Sequence, residues 1–210
     1  MIQRRKEIER NSKETQIKAS LNIDGKGKTE IKTPIAFLDH MLELFAFHGC
    51  FDLKLSVVGD THIDIHHTNE DIGIVLGKAF KQALGEEKAG IKRFGSAFAP
   101  METTLGHTVI DICGRPDFDL TFNGQKADAS PMIHDQKEYT FQYLTHFVES
   151  FAKQLGATII ISVGNSQKSA SDMHSIAETV FKSLGMALDQ ATTIDPRRDG
   201  QVPSTKGLID

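Results

Sequence analysis

Two stretches far apart in the chain, His66-His67-Thr68-Asn69-Glu70 and His174-Ser175-Ile176-Ala177-Glu178, each set a histidine and a glutamate four residues apart. On a helix that spacing stacks the two side chains one turn apart on the same face. Neutral imidazole plus carboxylate suits a divalent transition ion such as Mn, Fe or Zn. Metal-dependent chemistry is the first expectation.

The pattern is embedded in a longer repeat. Phe37-Leu38-Asp39-His40-Met41-Leu42-Glu43-Leu44-Phe45-Ala46 reappears as Tyr143-Leu144-Thr145-His146-Phe147-Val148-Glu149-Ser150-Phe151-Ala152, which makes His146 the counterpart of His40. Glu14-Thr15 and Glu102-Thr103 each introduce an alternating, strand-like run. A single duplication of about a hundred residues points to two packed pseudo-symmetric halves, whereas solenoids repeat at shorter periods.

The elements that must carry these residues follow from periodicity. Strands are predicted at Gln16 to Ile23, Thr29 to Lys32 and Phe51 to Val58, with helices at Ile35 to Phe47 and Thr68 to Leu84. The second of these helices buries a stripe of Ile72, Val75, Leu76, Ala79, Phe80 and Leu84. The order recurs as strands Ser96 to Ala99, Leu105 to Ile112 and Asp117 to Phe122, helix Glu138 to Leu155, strand Thr158 to Val163 and helix Met173 to Ala191. The expected fold is α+β: duplicated half-domains, each a small, mostly antiparallel sheet with two helices on one face. Residues 1–88 form the first half, 89–194 the second and 195–210 a tail, with the boundary in Gly85 to Gly90.

Bulk properties narrow the class. The chain has 210 residues, 39% hydrophobic and 25% charged, enough for one sizeable core or two joined halves. A formal charge of -4 with interleaved signs gives no polybasic field for nucleic acid or an anionic membrane. No apolar run approaches the ~20 residues of a membrane span, and Met1 to Lys6 leads into charge with no signal-peptide apolar core. Cys50 and Cys113 are too few for a disulfide framework and are expected as small buried apolar residues in a reducing cytoplasm.

Phe37-Leu38-Asp39-His40-Met41-Leu42 with His48-Gly49, the His66-His67-Thr68-Asn69-Glu70-Asp71 block, Pro100-Met101, Gly114-Arg115-Pro116 and Pro203-Ser204-Thr205-Lys206-Gly207 together resemble the imidazoleglycerol-phosphate dehydratases of histidine biosynthesis. The resemblance runs in order along almost the whole chain. It implies a metal-dependent hydro-lyase, here the monofunctional form, that converts imidazoleglycerol phosphate to imidazoleacetol phosphate. A ring held between two cations could carry the negative charge of an imidazolate and help expel the hydroxyl. The resemblance further implies two Mn2+ per subunit at subunit contacts and a large symmetric homo-oligomer of about 24 subunits.

By resemblance the metal ligands are His40, His66, His67, Glu70, His146, His174 and Glu178, with Glu14, His40, Glu70 and Glu178 in catalytic roles. His66 and His67 point about 100° apart around a helix, so the two can serve different ions. Arg93, Arg115, Ser204, Thr205 and Lys206 are implied at the substrate phosphate, and Glu14 and His48 at the rest of the substrate. Bland readings stand beside these: Arg115 as a turn arginine, the tail as a disordered terminus, Glu14 as a solvated strand-edge carboxylate, His48 as a helix-end cap.

Three positions depart from the family pattern. Ser175 stands where the second block normally has a histidine, Ile160 where a strand histidine is usual, and Glu102-Thr103 where Asp-Glu is common. Ser175 would leave one ion site weakened. The alternative is a paralogue that keeps the assembly and binds metal or a phosphorylated ligand without dehydrating it; a metallohydrolase comes third.

Overall fold

The computed structural model describes residues 4–85, 88–126, 133–134, 139–165 and 171–209. Glu138, where the third helix is expected to start, and Glu86-Glu87 of the expected boundary lie outside the described residues.

The first half contains β1 (Arg5–Asn11), β2 (Thr15–Asn22), β3 (Thr29–Lys32), α1 (Ala36–His48), β4 (Asp52–Gly59) and α2 (Ile65–Leu84). The second contains β5 (Phe94–Met101), β6 (Thr104–Asp111), β7 (Asp117–Phe122), β8 (Gln125–Lys126), β9 (Ile133–His134), α3 (Phe141–Leu155), β10 (Thr158–Asn165), β11 (Ser171–Asp172) and α4 (Met173–Thr192). The sheets have the orders β1-β2-β4-β3 and β5-β6-β10-β7-β8, so the duplication is legible in the strand order itself. In both, one pair is parallel, β3 with β4 and β7 with β10, and the other neighbours are antiparallel. A parallel pair needs a crossover, and α1 and α3 lie in those connections.

Strand burial alternates, as in β2, where Thr15, Ile17, Ala19 and Leu21 face the core. The stripe from Ile72 to Leu84 is buried as expected. No strand is expected at β1 because its sequence, RKEIERN, is charged and its only apolar residue is the partly buried Ile8. It is held by its full ladder to β2 and by Arg10, whose guanidinium meets the Asp71 carboxylate of α2 at 2.7 Å. Cys113 is buried, but Cys50 is exposed: it turns the chain between α1 and β4 at φ 56°, which carries its side chain out of the core.

The helices pair across the halves: α1 packs on α4, and α2 on α3. Glycine makes both crossings close. A Cβ on Gly77 of α2 would lie 2.4 Å from the Phe151 carbonyl oxygen of α3, and one on Gly185 of α4 would lie 2.4 Å from the Phe45 carbonyl oxygen of α1. Phe45 and Phe151 are repeat counterparts, so the two crossings are copies of one contact. Among the described residues no helix is long and apolar enough to cross a membrane.

Candidate metal centres

Cross-half pairing brings the repeated histidines into two clusters. In the first, α1 supplies His40 and α4 supplies His174 and Glu178. The His174 Nε2 is 2.8 Å and the His40 Nε2 3.4 Å from the same Glu178 oxygen, and one ligand atom from each residue lies within 4.8 Å of the others. In the second, α2 supplies His66 and Glu70 and α3 supplies His146. The His66 and His146 Nδ1 atoms are 3.2 Å apart, and His66 Nε2 is 3.7 Å from Glu70. In the first, half-exposed imidazoles beside a carboxylate form a donor set that fits Mn, Fe or Zn; in the second, His66 turns one nitrogen to His146 and the other to Glu70, so among the described residues only the first draws three ligand atoms together.

Local capping sets both presentations. Asp64, the N-cap of α2, accepts from the His66 backbone N–H at 2.9 Å and from the Tyr143 hydroxyl at 2.7 Å, tying the first turn of α2 to the helix that carries His146. Next to Glu70, Asn69 donates to the Tyr143 carbonyl at 2.8 Å and accepts from the buried Tyr139 hydroxyl at 2.9 Å. On α4 the N-cap is Asp172, which accepts from both the backbone N–H (2.8 Å) and the hydroxyl (3.3 Å) of Ser175. Ser175 is thus engaged in capping.

His67, the repeat counterpart of Ser175, joins neither cluster. Its Nδ1 lies 3.1 Å from Asp60, whose hydrogen bond raises the imidazole pKa, with the charge of Glu14 adding to the effect. Glu14 is exposed, and its backbone carbonyl accepts from the Asp60 N–H at 3.1 Å. His48 lies toward Lys182 on α4; burial and that cation lower its pKa, against the opposing charge of Glu178.

Two functional neighbours were missed in the sequence. Asp60 reads there as a strand terminator, although it stands behind His67. Lys182 meets the second Glu178 oxygen at 2.5 Å. Burial raises the Glu178 pKa, but the hydrogen bonds from Lys182 and His174 outweigh it and hold the carboxyl below its usual value. The signal for Lys182 was its place four residues after Glu178 on the same face; comparing the halves hides it, because the equivalent position in α2 is Ile74.

The residues expected at the substrate phosphate lie elsewhere. Arg93 forks onto Asp111 at 2.6 and 2.9 Å and donates to the Pro203 carbonyl at 3.1 Å, which anchors the tail. Beyond that anchor the Ser204 hydroxyl accepts from the Lys206 N–H at 3.2 Å, with Thr205 exposed between them. Arg93 precedes β5 and Arg115 precedes β7, and the first residues of β5, β7 and β10 lie at one end of the second sheet. That end adjoins the C-terminus of α4, where the Arg93 N–H meets the Ala191 carbonyl at 2.9 Å, while His174 is in the first turn of α4. Seventeen residues of helix separate them, about 25 Å at 1.5 Å per residue. A small substrate cannot span that distance within one chain. Of the departing positions, Ile160 faces outward from the second sheet and Thr103 lies in the exposed β5–β6 turn, so only Ser175 sits beside a cluster residue.

Comparisons with known proteins agree along the chain. The family model described as imidazoleglycerol-phosphate dehydratase matches residues 33–188. The imidazoleglycerol-phosphate dehydratase of Geobacillus kaustophilus is 47% identical over 202 residues, covering 96% of this chain and 97% of its own, and that of Pelobacter propionicus is 46% identical with the same coverage. The Pyrococcus furiosus enzyme, solved in complex with a ligand, superposes with a TM-score of 0.76 at 36% identity, covering 96% of this chain and 99% of its own. The Staphylococcus aureus enzyme gives 0.73 at 28% identity, covering 91% and 99%. With a match that spans both clusters and the helices that build them, the chain belongs to the imidazoleglycerol-phosphate dehydratase family.

Proposed function

We propose that the protein is a hydro-lyase of histidine biosynthesis that removes water from imidazoleglycerol phosphate to give imidazoleacetol phosphate. The observation that carries this reading is the pair of pseudo-equivalent His/His/Glu clusters at the two cross-half helix pairs. His40, His174 and Glu178 hold one divalent ion, and His66, His146 and Glu70 hold a second; Mn2+ is the ion proposed for both. An ion bound in such a set draws negative charge from an imidazole ring and lowers the cost of removing a proton from the adjoining carbon.

The chain's own groups do the rest. Lys182 and His174 hold the Glu178 carboxyl below its usual pKa, which favours a carboxylate ligand where a cation would sit. Asp60 engages His67 through Nδ1 and leaves Nε2 free of that contact, the arrangement a carboxylate-backed histidine ligand needs. Glu14, whose charge acts on His67, would take the proton from the ring-side carbon and return it to the departing hydroxyl. Neutral His48 offers a hydrogen bond to the substrate. Arg93, Arg115 and the tail segment Ser204-Thr205-Lys206 take the phosphate, with residues 195–210 closing over it and the two halves dividing at residues 88 and 89. The ~25 Å of α4 between Arg93 and the His40 cluster favours a site in which one copy receives the phosphate while another holds the ring. We take the assembly to be a shell of about 24 subunits working in the cytoplasm, as the family resemblance implies, and a site shared between copies agrees with it.

The test is direct. Purified protein loaded with Mn2+ should form imidazoleacetol phosphate from imidazoleglycerol phosphate, followed by the absorbance of the enolised product. No turnover at high enzyme concentration with two ions bound per subunit refutes the activity.

A further inference from the structure

The two clusters of one chain are joined through its interior by an unbroken series of contacts, and Tyr139 is the middle member. One end is the first cluster. The Phe37 ring on α1, three residues before His40, meets the His174 imidazole edge-on, with centroids 5.7 Å apart and planes at 73°. Behind it the Tyr139 ring lies 4.9 Å from that of Phe37. The other end is the second cluster. The Tyr139 hydroxyl donates at 2.9 Å to the side-chain oxygen of Asn69, the neighbour of Glu70, and the Asn69 amide donates at 2.8 Å to the carbonyl of Tyr143, three residues before His146. The Tyr143 hydroxyl then closes the series on Asp64, the cap that accepts from the His66 N–H.

Burial makes the middle of the series stiff. Tyr139 is 1% exposed and Asn69 0%, so neither can turn without stranding the polar group of the other. Burial also drives the phenol pKa upward, so the hydroxyl keeps its proton and serves as the donor. The two ends are unequally prepared. The first cluster already holds one ligand atom of each residue within 4.8 Å of the others, whereas His66 divides its nitrogens between His146 and Glu70. Binding at the second cluster therefore requires His66 to reorient, on a helix turn that Asp64 and Asn69 hold from either side.

We propose that Tyr139 is a positioning residue that couples the two clusters. With His40, His174 and Glu178 drawn onto an ion, the Phe37 and Tyr139 rings are fixed, and through Asn69 and Tyr143 they ready Glu70, His66 and His146 for the second. The proposal rests on the two-ion reading above and adds an order of filling to it, the first cluster before the second. The coupling is positive because side chains ordered in the first binding step need not be ordered again in the next.

The experiment is calorimetric titration of the full chain with Mn2+, with His174→Ala disabling the first cluster so that the second is read alone. The second cluster should bind at least about fivefold tighter with the first intact than in His174→Ala. Tyr139→Phe keeps the ring against Phe37 and removes only the bond to Asn69, and in that background the ratio should fall to about one. Phe37→Leu cuts the series at its other end and should abolish the ratio too, so if one variant does not fold the other decides. A wild-type ratio of about one, or a ratio that survives in either folded variant, overturns the proposal. A variant that loses stability in urea while keeping the ratio would show Tyr139 to be a core residue and nothing more. The underlying reading fails differently: a wild type that binds no Mn2+ removes both, and two coupled ions without turnover sink the dehydratase reading alone.

Discussion

Replacing Gly77 with alanine tests the link between helix packing and metal binding. Helix propensity favours the change by about 1 kcal/mol. The structure opposes it, since the new Cβ would sit 2.4 Å from the Phe151 carbonyl oxygen and 2.9 Å from the Gln154 Cβ, neither of which can swing away. Restoring the 3.4 Å of ordinary contact asks α2 and α3 to part by about 1 Å. Overpacking of this kind costs about 1–3 kcal/mol, and a gap of that width forfeits a quarter to a half of each dispersion contact across the crossing. The net expectation is a loss of up to about 2 kcal/mol, opposite in sign to propensity, read from urea unfolding at fixed protein concentration. The same parting widens the 3.2 Å approach of His66 to His146, so calorimetric titration with Mn2+ should show the second cluster weakened and the His40 cluster intact. Gly185→Ala, whose Cβ would meet the Phe45 carbonyl oxygen at 2.4 Å, should do the reverse. A Gly77→Ala protein as stable as wild type, with both binding phases unchanged, would refute the reasoning.

Three further outcomes are expected. Asn69→Ala should strand the buried Tyr139 hydroxyl and cost about 1–3 kcal/mol in urea melts, and Tyr139→Phe in that background should cost less than it does alone; strict additivity would show that the pair does not interact. Lys182→Met should leave burial as the dominant influence on Glu178: its contribution to stability, now present above the unfolded carboxyl pKa of 4.5 and lost as pH falls through a lower folded value, should be lost at higher pH, moving the midpoint of acid unfolding upward in chelator. An unmoved midpoint would remove Lys182 from the account. Ser175→His should raise metal occupancy or turnover, measured by metal analysis and by product absorbance, and no change in either would mean that the serine is not a deficit.

Much of the architecture was legible because period and burial agree. The α2 stripe, the β7 bounds at Asp117 and Phe122 and the repeated His/Glu helices follow from spacing alone. What escaped depended on partners. The charged β1 has almost no apolar alternation, and its place comes from a ladder and from Asp71. The cross-half pairing escaped as well, since a stripe says which face of a helix is buried and not against what. Gly77 and Gly185 at equal places in the repeat were its one trace. Phosphate-binding residue types were visible in the sequence, but the length of α4 between them and the first cluster becomes meaningful only once Arg93 is seen beside Ala191.

The duplication then has a physical consequence beyond symmetry. If each half kept its helices to itself, His40 would cluster with His66 and Glu70, and the two clusters could drift apart independently. Pairing α1 with α4 and α2 with α3 makes each cluster a contact between halves, so the cost of separating the halves includes both sets of ligands. Divergence has used the copies differently. The first half keeps a second imidazole, His67, braced by Asp60 and partly exposed. The second spends the equivalent residue, Ser175, on capping its helix, and carries Arg93 and Arg115. The two copies of one ancestral unit thus differ in what they add to the clusters: an extra imidazole from the first half, and from the second a guanidinium held at the far end of α4 from His174.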